Sequence, residues 1–292
     1  MIYTLQNDAV QVSLDTLGGT LSSIRSNGLE YLWQGDPAYW SSKAPICFPI
    51  CGGLRDGHAF IGNGKDAFLN RHGCVRKREF QLEKQTNDTV TLSISSNEEM
   101  LKEFPYPFVL HAEYKLDKNK VRVTYHVENT GSEKMPFCIG GHPGFNVPLE
   151  KNEAFEDYEL RFEEKETCDA PVVLAKSGLI DMNERIPFLD NQDSIRLSHD
   201  FFNVDAKLLD NLKTRKVTLI STKSGHGVSV AFDDFPYLNV WSSSNKGPFV
   251  ALEPWCGIST AADEDDVFEN KRHVQFAEPG ETKSYSFTIS LL

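Results

Sequence analysis

Apolar residues recur at every second position through long stretches of this chain, a period that strands satisfy and helices do not. Val10, Val12 and Leu14 start the pattern, Val90, Leu92 and Ile94 repeat it, and Phe108, Leu110, Ala112, Tyr114 and Leu116 extend it. After Asp117-Lys118-Asn119-Lys120 it resumes at Val121, Val123, Tyr125 and Val127, which predicts a β-hairpin. Further strands are expected from Val217 to Ile220, Val228 to Phe232, Leu238 to Trp241, Phe249 to Leu252 and Tyr285 to Ile289. Helix is expected in two places: a short run from Glu98 to Phe104, capped by Asn97 and stopped by Pro105, and a turn or two between Asp205 and Leu212. Many strands, few short helices and frequent Gly, Asn and Asp turns predict an all-β fold, a large antiparallel β-sandwich or barrel. One wide concave sheet face would offer a ligand cleft.

The 292 residues, 40% apolar, suffice for a large core, and no proline-rich or serine-rich linker interrupts the strands. A single domain over 1–292 is the expectation. Thirty basic against 42 acidic residues give a net charge of −12, which offers nucleic acid no basic stripe. The first residues carry no cationic segment followed by an apolar core, and no stretch is long and apolar enough for a bilayer, so a cytoplasmic protein with no membrane partner is expected. Six scattered cysteines, at 47, 51, 74, 138, 168 and 256, read as free thiols. Cys47 and Cys51 have a metal-compatible spacing but no identifiable further ligands, so no metal is expected.

Chemistry concentrates at four polar points. His142 lies in Gly140-Gly141-His142-Pro143-Gly144, where glycines leave room around an imidazole suited to proton transfer near neutrality; the alternative is a structural turn histidine. Glu253 ends the apolar run from Phe249 to Leu252 and precedes Pro254-Trp255, a setting that desolvates a carboxylate and makes it a stronger base, beside a ring able to pack on a sugar. Arg55 in Gly52-Gly53-Leu54-Arg55 has a fork of donors for hydroxyl oxygens, or a local acid to pair with. His72 belongs to Asn70-Arg71-His72-Gly73, with Arg71, Arg76, Lys77 and Arg78 forming a basic patch that meets a phosphate or solvates a loop. His111, His126 and His226 read as strand-face and turn residues. Neither Gly-x-Ser-x-Gly nor Gly-x-x-x-x-Gly-Lys occurs, which disfavours a serine hydrolase or a P-loop enzyme.

Taken in order, Gly-Gly-Leu-Arg55, His72-Gly-Cys-Val-Arg76, Gly-Gly-His142-Pro-Gly-Phe-Asn, His199-Asp-Phe-Phe-Asn-Val-Asp205-Ala and Ala-Leu-Glu253-Pro-Trp resemble the aldose 1-epimerase (galactose mutarotase) family, and within it the bacterial LacX-like branch. The resemblance implies a β-supersandwich and a cofactor-free, metal-free isomerase that interconverts the α and β anomers of an aldose, a small-molecule sugar substrate. It assigns His142 as general acid and Glu253 as general base, with Arg55, His72 and Asp205 holding the sugar; Asp200 is the alternative to Asp205. The turn around His142 departs from the Asn-His-Ser-like turn of the galactose-specific group, and the His72-Gly-Cys-Val-Arg76 turn is similar to that of hexose-6-phosphate mutarotases. Which sugar is used, and whether Arg76 meets a phosphate, stay open. Two rivals are a non-catalytic carbohydrate-binding protein of the same fold and a glycoside hydrolase using Asp205 and Glu253.

Overall fold

The computed structural model describes residues 1–292, the side chain of Asn63 excepted. A nine-stranded sheet and a six-stranded sheet dominate, and every strand ladder in them is antiparallel. In the larger sheet Phe108–Asp117 and Lys120–Asn129 form the expected hairpin, with Lys118 in the left-handed region at φ 53°. Leu110, Ala112, Tyr114 and Leu116 point inward together with Val121, Val123, Tyr125 and Val127, all buried. The strand Thr282–Leu291 pairs beside them and adds Phe287 and Ile289.

The smaller sheet carries the strands Lys207–Leu209, Tyr237–Trp241, Phe249–Cys256, Ile139–Gly141 and Ile46–Cys47, with Gly144–Asn146 also on Phe249–Cys256. Its residues Leu238, Val240, Val250 and Leu252 have no exposed surface and join one continuous apolar core with the larger sheet. The two sheets meet closely at Gly141, where a side chain would run into the Phe287 ring, its nearest atom 2.7 Å away. This is the expected all-β sandwich.

One local expectation changes. The segment from Asp205 to Leu212 contains the strand Lys207–Leu209, bonded to Tyr237–Trp241, because pairing at the sheet edge outweighs the weak local preference for a turn of helix. The helical turn lies earlier, at His199–Phe202, where Ser198 Oγ accepts from Asp200 N at 3.2 Å. Glu98–Glu103 is α-helical as expected, and Asn97 Oδ1 accepts from Glu99 N and Met100 N. The longest strands are Tyr158–Val173, where Tyr158, Leu160 and Phe162 alternate with polar residues, and Ile180–Arg196, which has no clear period-two signal. They form a hairpin at the sheet edge with several register shifts, and Ile180–Arg196 is largely exposed on both faces, so the apolar alternation is lost. All six cysteines are free and buried. Among the described residues no helix is long and apolar enough to cross a membrane.

Gly140 sits opposite both Trp255 and Cys47, and a Cβ there would overlap the Trp255 ring and lie 2.8 Å from Pro254 O. Gly140→Ala should therefore cost about 1–3 kcal/mol through overpacking, read as a lower urea midpoint at unchanged slope.

Candidate active site

Asn239 and Glu253 face each other across the ladder between Tyr237–Trp241 and Phe249–Cys256. Strand alternation puts Asn239, Trp241, Glu253 and Trp255 on the sheet face away from the core. All four line a cavity of about 660 Å³, a volume suited to a small ligand. Loops complete the wall: Tyr39 and Trp40 on one side, Arg71, His72 and Arg76 on another, and Asp205 with Ala206 on a third. His142 enters between Ile139–Gly141 and Gly144–Asn146.

In the sequence, the glycines beside His142 read as leaving room around its imidazole. In the structure they belong to strands and answer close packing: Gly140 lies under Trp255, Gly141 under Phe287, and a Cβ on Gly144 would be 2.8 Å from Trp40 Cζ3. The chain thus passes close enough to set the His142 imidazole against the carboxyl of Glu253, with Nε2 3.2 Å from Oε2. Trp40 stacks on the imidazole at 4.8 Å between ring centres, and Trp241 meets it edge-on at 5.6 Å. Glu253 has no exposed surface and His142 is 6% exposed.

Such burial disfavours charge on both groups. It pushes the Glu253 carboxyl well above the carboxylate range, with Cys47 and Asp205 adding to the rise and Asn239 and Arg71 opposing it. It lowers His142 to about 3, helped by the positive field of Arg71 and Arg76. Each group is thereby biased toward its uncharged form, a protonated carboxyl beside a neutral imidazole. Both Glu253 oxygens, His142 Nδ1 and Trp255 Nε1 are buried without a hydrogen bond, so unsatisfied donors and acceptors gather on one cavity wall.

His72 and Asp205 also reach the cavity, whereas Asp200 is exposed, accepts from Asn203 Nδ2 at 3.2 Å and lies outside it. His72 adopts φ 66°, and Gly73 follows at φ 81° because a Cβ there would overlap Phe48 O. Gly52 N donates to His72 Nδ1 at 3.2 Å, and burial lowers the imidazole well below its usual range. His72 is thus neutral, with its proton on Nε2.

Arg55 is a correction, since it does not line the cavity. Its guanidinium is taken up by Asp266 Oδ1 at 2.9 Å and by the carbonyls of Ala261, Ala262 and Glu264. The Trp255 ring, 4% exposed, lines the cavity and packs edge-on to His72 at 5.7 Å. Sequence reasoning missed Trp40, Asn239 and Trp241 as wall residues. Asn239 and Trp241 stand two apart in an expected strand and become site residues through pairing with Glu253, while Trp40 lies in a loop with no periodic signal. Among the described residues no three His, Cys, Asp or Glu side chains come together as a metal site.

Comparison with known proteins agrees with this architecture. The model of the aldose 1-epimerase family matches residues 1–290. The chain is 47% identical to the chromosomal protein LacX of Lactococcus lactis subsp. lactis, over all of both chains. A galactose mutarotase related enzyme from Lactobacillus acidophilus superposes with a TM-score of 0.94 at 31% identity, covering 100% of this chain and 97% of that one. A galactose mutarotase-like protein from Lactobacillus casei gives 0.92 at 29% identity, with both chains fully covered. The chain belongs to the aldose 1-epimerase family, in its LacX-like branch.

Proposed function

We propose that the protein is an aldose 1-epimerase that opens and recloses a sugar ring with Glu253 and His142. The observation that carries this reading is the buried carboxyl–imidazole pair in a sugar-sized cavity, three of whose polar atoms lack a hydrogen bond, as does the neighbouring Trp255 Nε1. The two reacting oxygens of an aldose, the anomeric hydroxyl and the ring oxygen, are bonded to the same carbon. A base and an acid serving them must therefore lie close together, as Oε2 and Nε2 do at 3.2 Å.

Sugar oxygens entering between them stabilise the tautomer with carboxylate and imidazolium, which has the same proton count as the uncharged pair. Glu253 then takes the anomeric hydroxyl proton, the C1–O1 double bond forms as the bond from C1 to the ring oxygen breaks, and His142 protonates the ring oxygen. Rotation about C1–C2 and reversal of these transfers deliver the other anomer. Neutral His72, as an Nε2–H donor, and Asp205, as an acceptor, hold hydroxyl groups.

A second reading concerns the sugar itself. Arg71 and Arg76 line the cavity without a hydrogen bond or ion pair among the described residues, although the chain has an excess of acids. They also line an adjoining hollow of about 510 Å³ with Lys77 and Arg78, which favours an aldose bearing a phosphate.

Polarimetry of fresh α-glucose and α-galactose, free and 6-phosphorylated, tests both readings: accelerated anomer exchange is expected, fastest for the phosphorylated forms. Binding without acceleration would instead support a carbohydrate-binding protein. Glu253→Gln and His142→Asn should each lower kcat by roughly 10²–10⁴-fold with the fold intact.

Activity should pass through a plateau bounded by two ionisations. It falls on the acid side as His142 takes a second proton toward its value of about 3, and on the basic side as the raised Glu253 loses the last one. Burial thus reverses the two limbs that ordinary values, about 4.3 for Glu and about 6.5 for His, would give.

Stability follows the same signs. The contribution of Glu253, with a raised pKa, is present below its ordinary 4.5 and lost as pH rises through the raised value. Glu253→Gln should therefore melt above the parent at alkaline pH, with the gap closing toward pH ~4.

A further inference from the structure

We propose that Arg55 is a positioning residue, acting on the His72 imidazole through the 259–266 loop and the Gly52-Gly53 dipeptide. The proposal rests on reading the cavity as a mutarotase site.

The connection can be followed bond by bond. Arg55 Nε is 2.9 Å from Asp266 Oδ1, while its Nη2 donates to Glu264 O at 3.1 Å and to Ala261 O and Ala262 O at 3.3 Å each. One planar fork thereby gathers four points of a loop that has little regular structure of its own. The near end of that loop grips Gly53: Ser259 Oγ accepts from Gly53 N at 3.0 Å, and Thr260 N donates to Gly53 O at 2.9 Å. The neighbouring Gly52 grips His72 in turn, accepting from His72 N at 2.7 Å and donating its own N–H to Nδ1 at 3.2 Å. Gly52 is at φ 71°, and a Cβ there would overlap Ser259 Oγ, so loop and dipeptide are in direct contact.

The functional content lies in the last bond. A backbone N–H aimed at Nδ1 keeps that nitrogen an acceptor and leaves the ring proton on Nε2, as the proposed role of His72 requires. The charged and titratable groups around the ring are Cys47, whose Sγ lies 3.3 Å from Nδ1, His142 at 5.1 Å between ring centres, and Arg71 and Arg76 on the same loop. A proton gained by His72 would place a further positive charge beside His142, whose own protonation burial and the nearby arginines already oppose. Release of the 259–266 loop would let Gly52 N–H drift from Nδ1 and allow that protonation. Arg55 thus controls a protonation state in the cavity from outside its wall.

The test combines ring-nitrogen NMR of His72, assigned by its loss in His72→Asn, with kcat and KM for anomer exchange across pH. In the parent, His72 should keep the Nε2–H tautomer below the ordinary imidazole value of 6.5. In Arg55→Ala its protonation should move up toward the ordinary range, with kcat/KM falling roughly tenfold on the acid side of the shifted value and recovering above it. Arg55→Lys, which cannot span the same acceptors, should give an intermediate profile. Should Arg55→Ala fail to fold, Arg55→Lys and Asp266→Asn carry the same readouts. An unchanged His72 tautomer and pH profile in these variants, even with a lower melting temperature, would reduce Arg55 to a loop fastening and overturn the proposal. If the parent shows no anomer exchange, the mutarotase reading fails, while the NMR arm still decides what Arg55 does.

Discussion

A carboxyl group without exposed surface, set against an imidazole in the middle of a β-sheet, is the constraint on which the site depends. Two isolated charges there would each cost several kcal/mol in lost hydration. The pair avoids that cost because burial favours the uncharged form of each group. Trp40 and Trp241 deepen the effect by covering the imidazole on two sides. A site of this kind is held ready at the expense of stability, since a residue that never ionises would suit the same position better.

Close backbone approach is what makes the contact between His142 and Glu253 available. Gly140, Gly141 and Gly144 let the backbone and the rings of Trp255, Phe287 and Trp40 come nearer than any side chain would allow. The central strand Phe249–Cys256 is buried on both faces, one in the apolar core and the other under the cavity wall. Core packing and proton chemistry are thereby coupled through a single strand, with Leu252 on one side of its pleat and Glu253 on the other.

Much of the fold could be read from local pattern. The hairpin from Phe108 to Asn129, the strand carrying Glu253 and the helix capped by Asn97 all announce themselves within a few residues. Signals failed where the environment is mixed. Ile180–Arg196 is a strand with little burial on either face, and the strand at Lys207–Leu209 forms through its partner rather than its own preference. At the site, His142, Glu253, His72 and Asp205 were identifiable from their motifs and do share one cavity. Arg55, which looked equivalent to them, is held by Asp266 on the far side of a loop.

What the sequence by itself determined is the set of strand faces and the residue types able to move protons or bind hydroxyls, because alternation and side-chain chemistry are local properties. What the tertiary structure alone decided is which of those groups meet and which form carries the proton. Contact between residues 142 and 253 depends on strand register across a sheet, and the shift of each pKa depends on the water that the surrounding walls exclude. Neither quantity is written in any short stretch of chain.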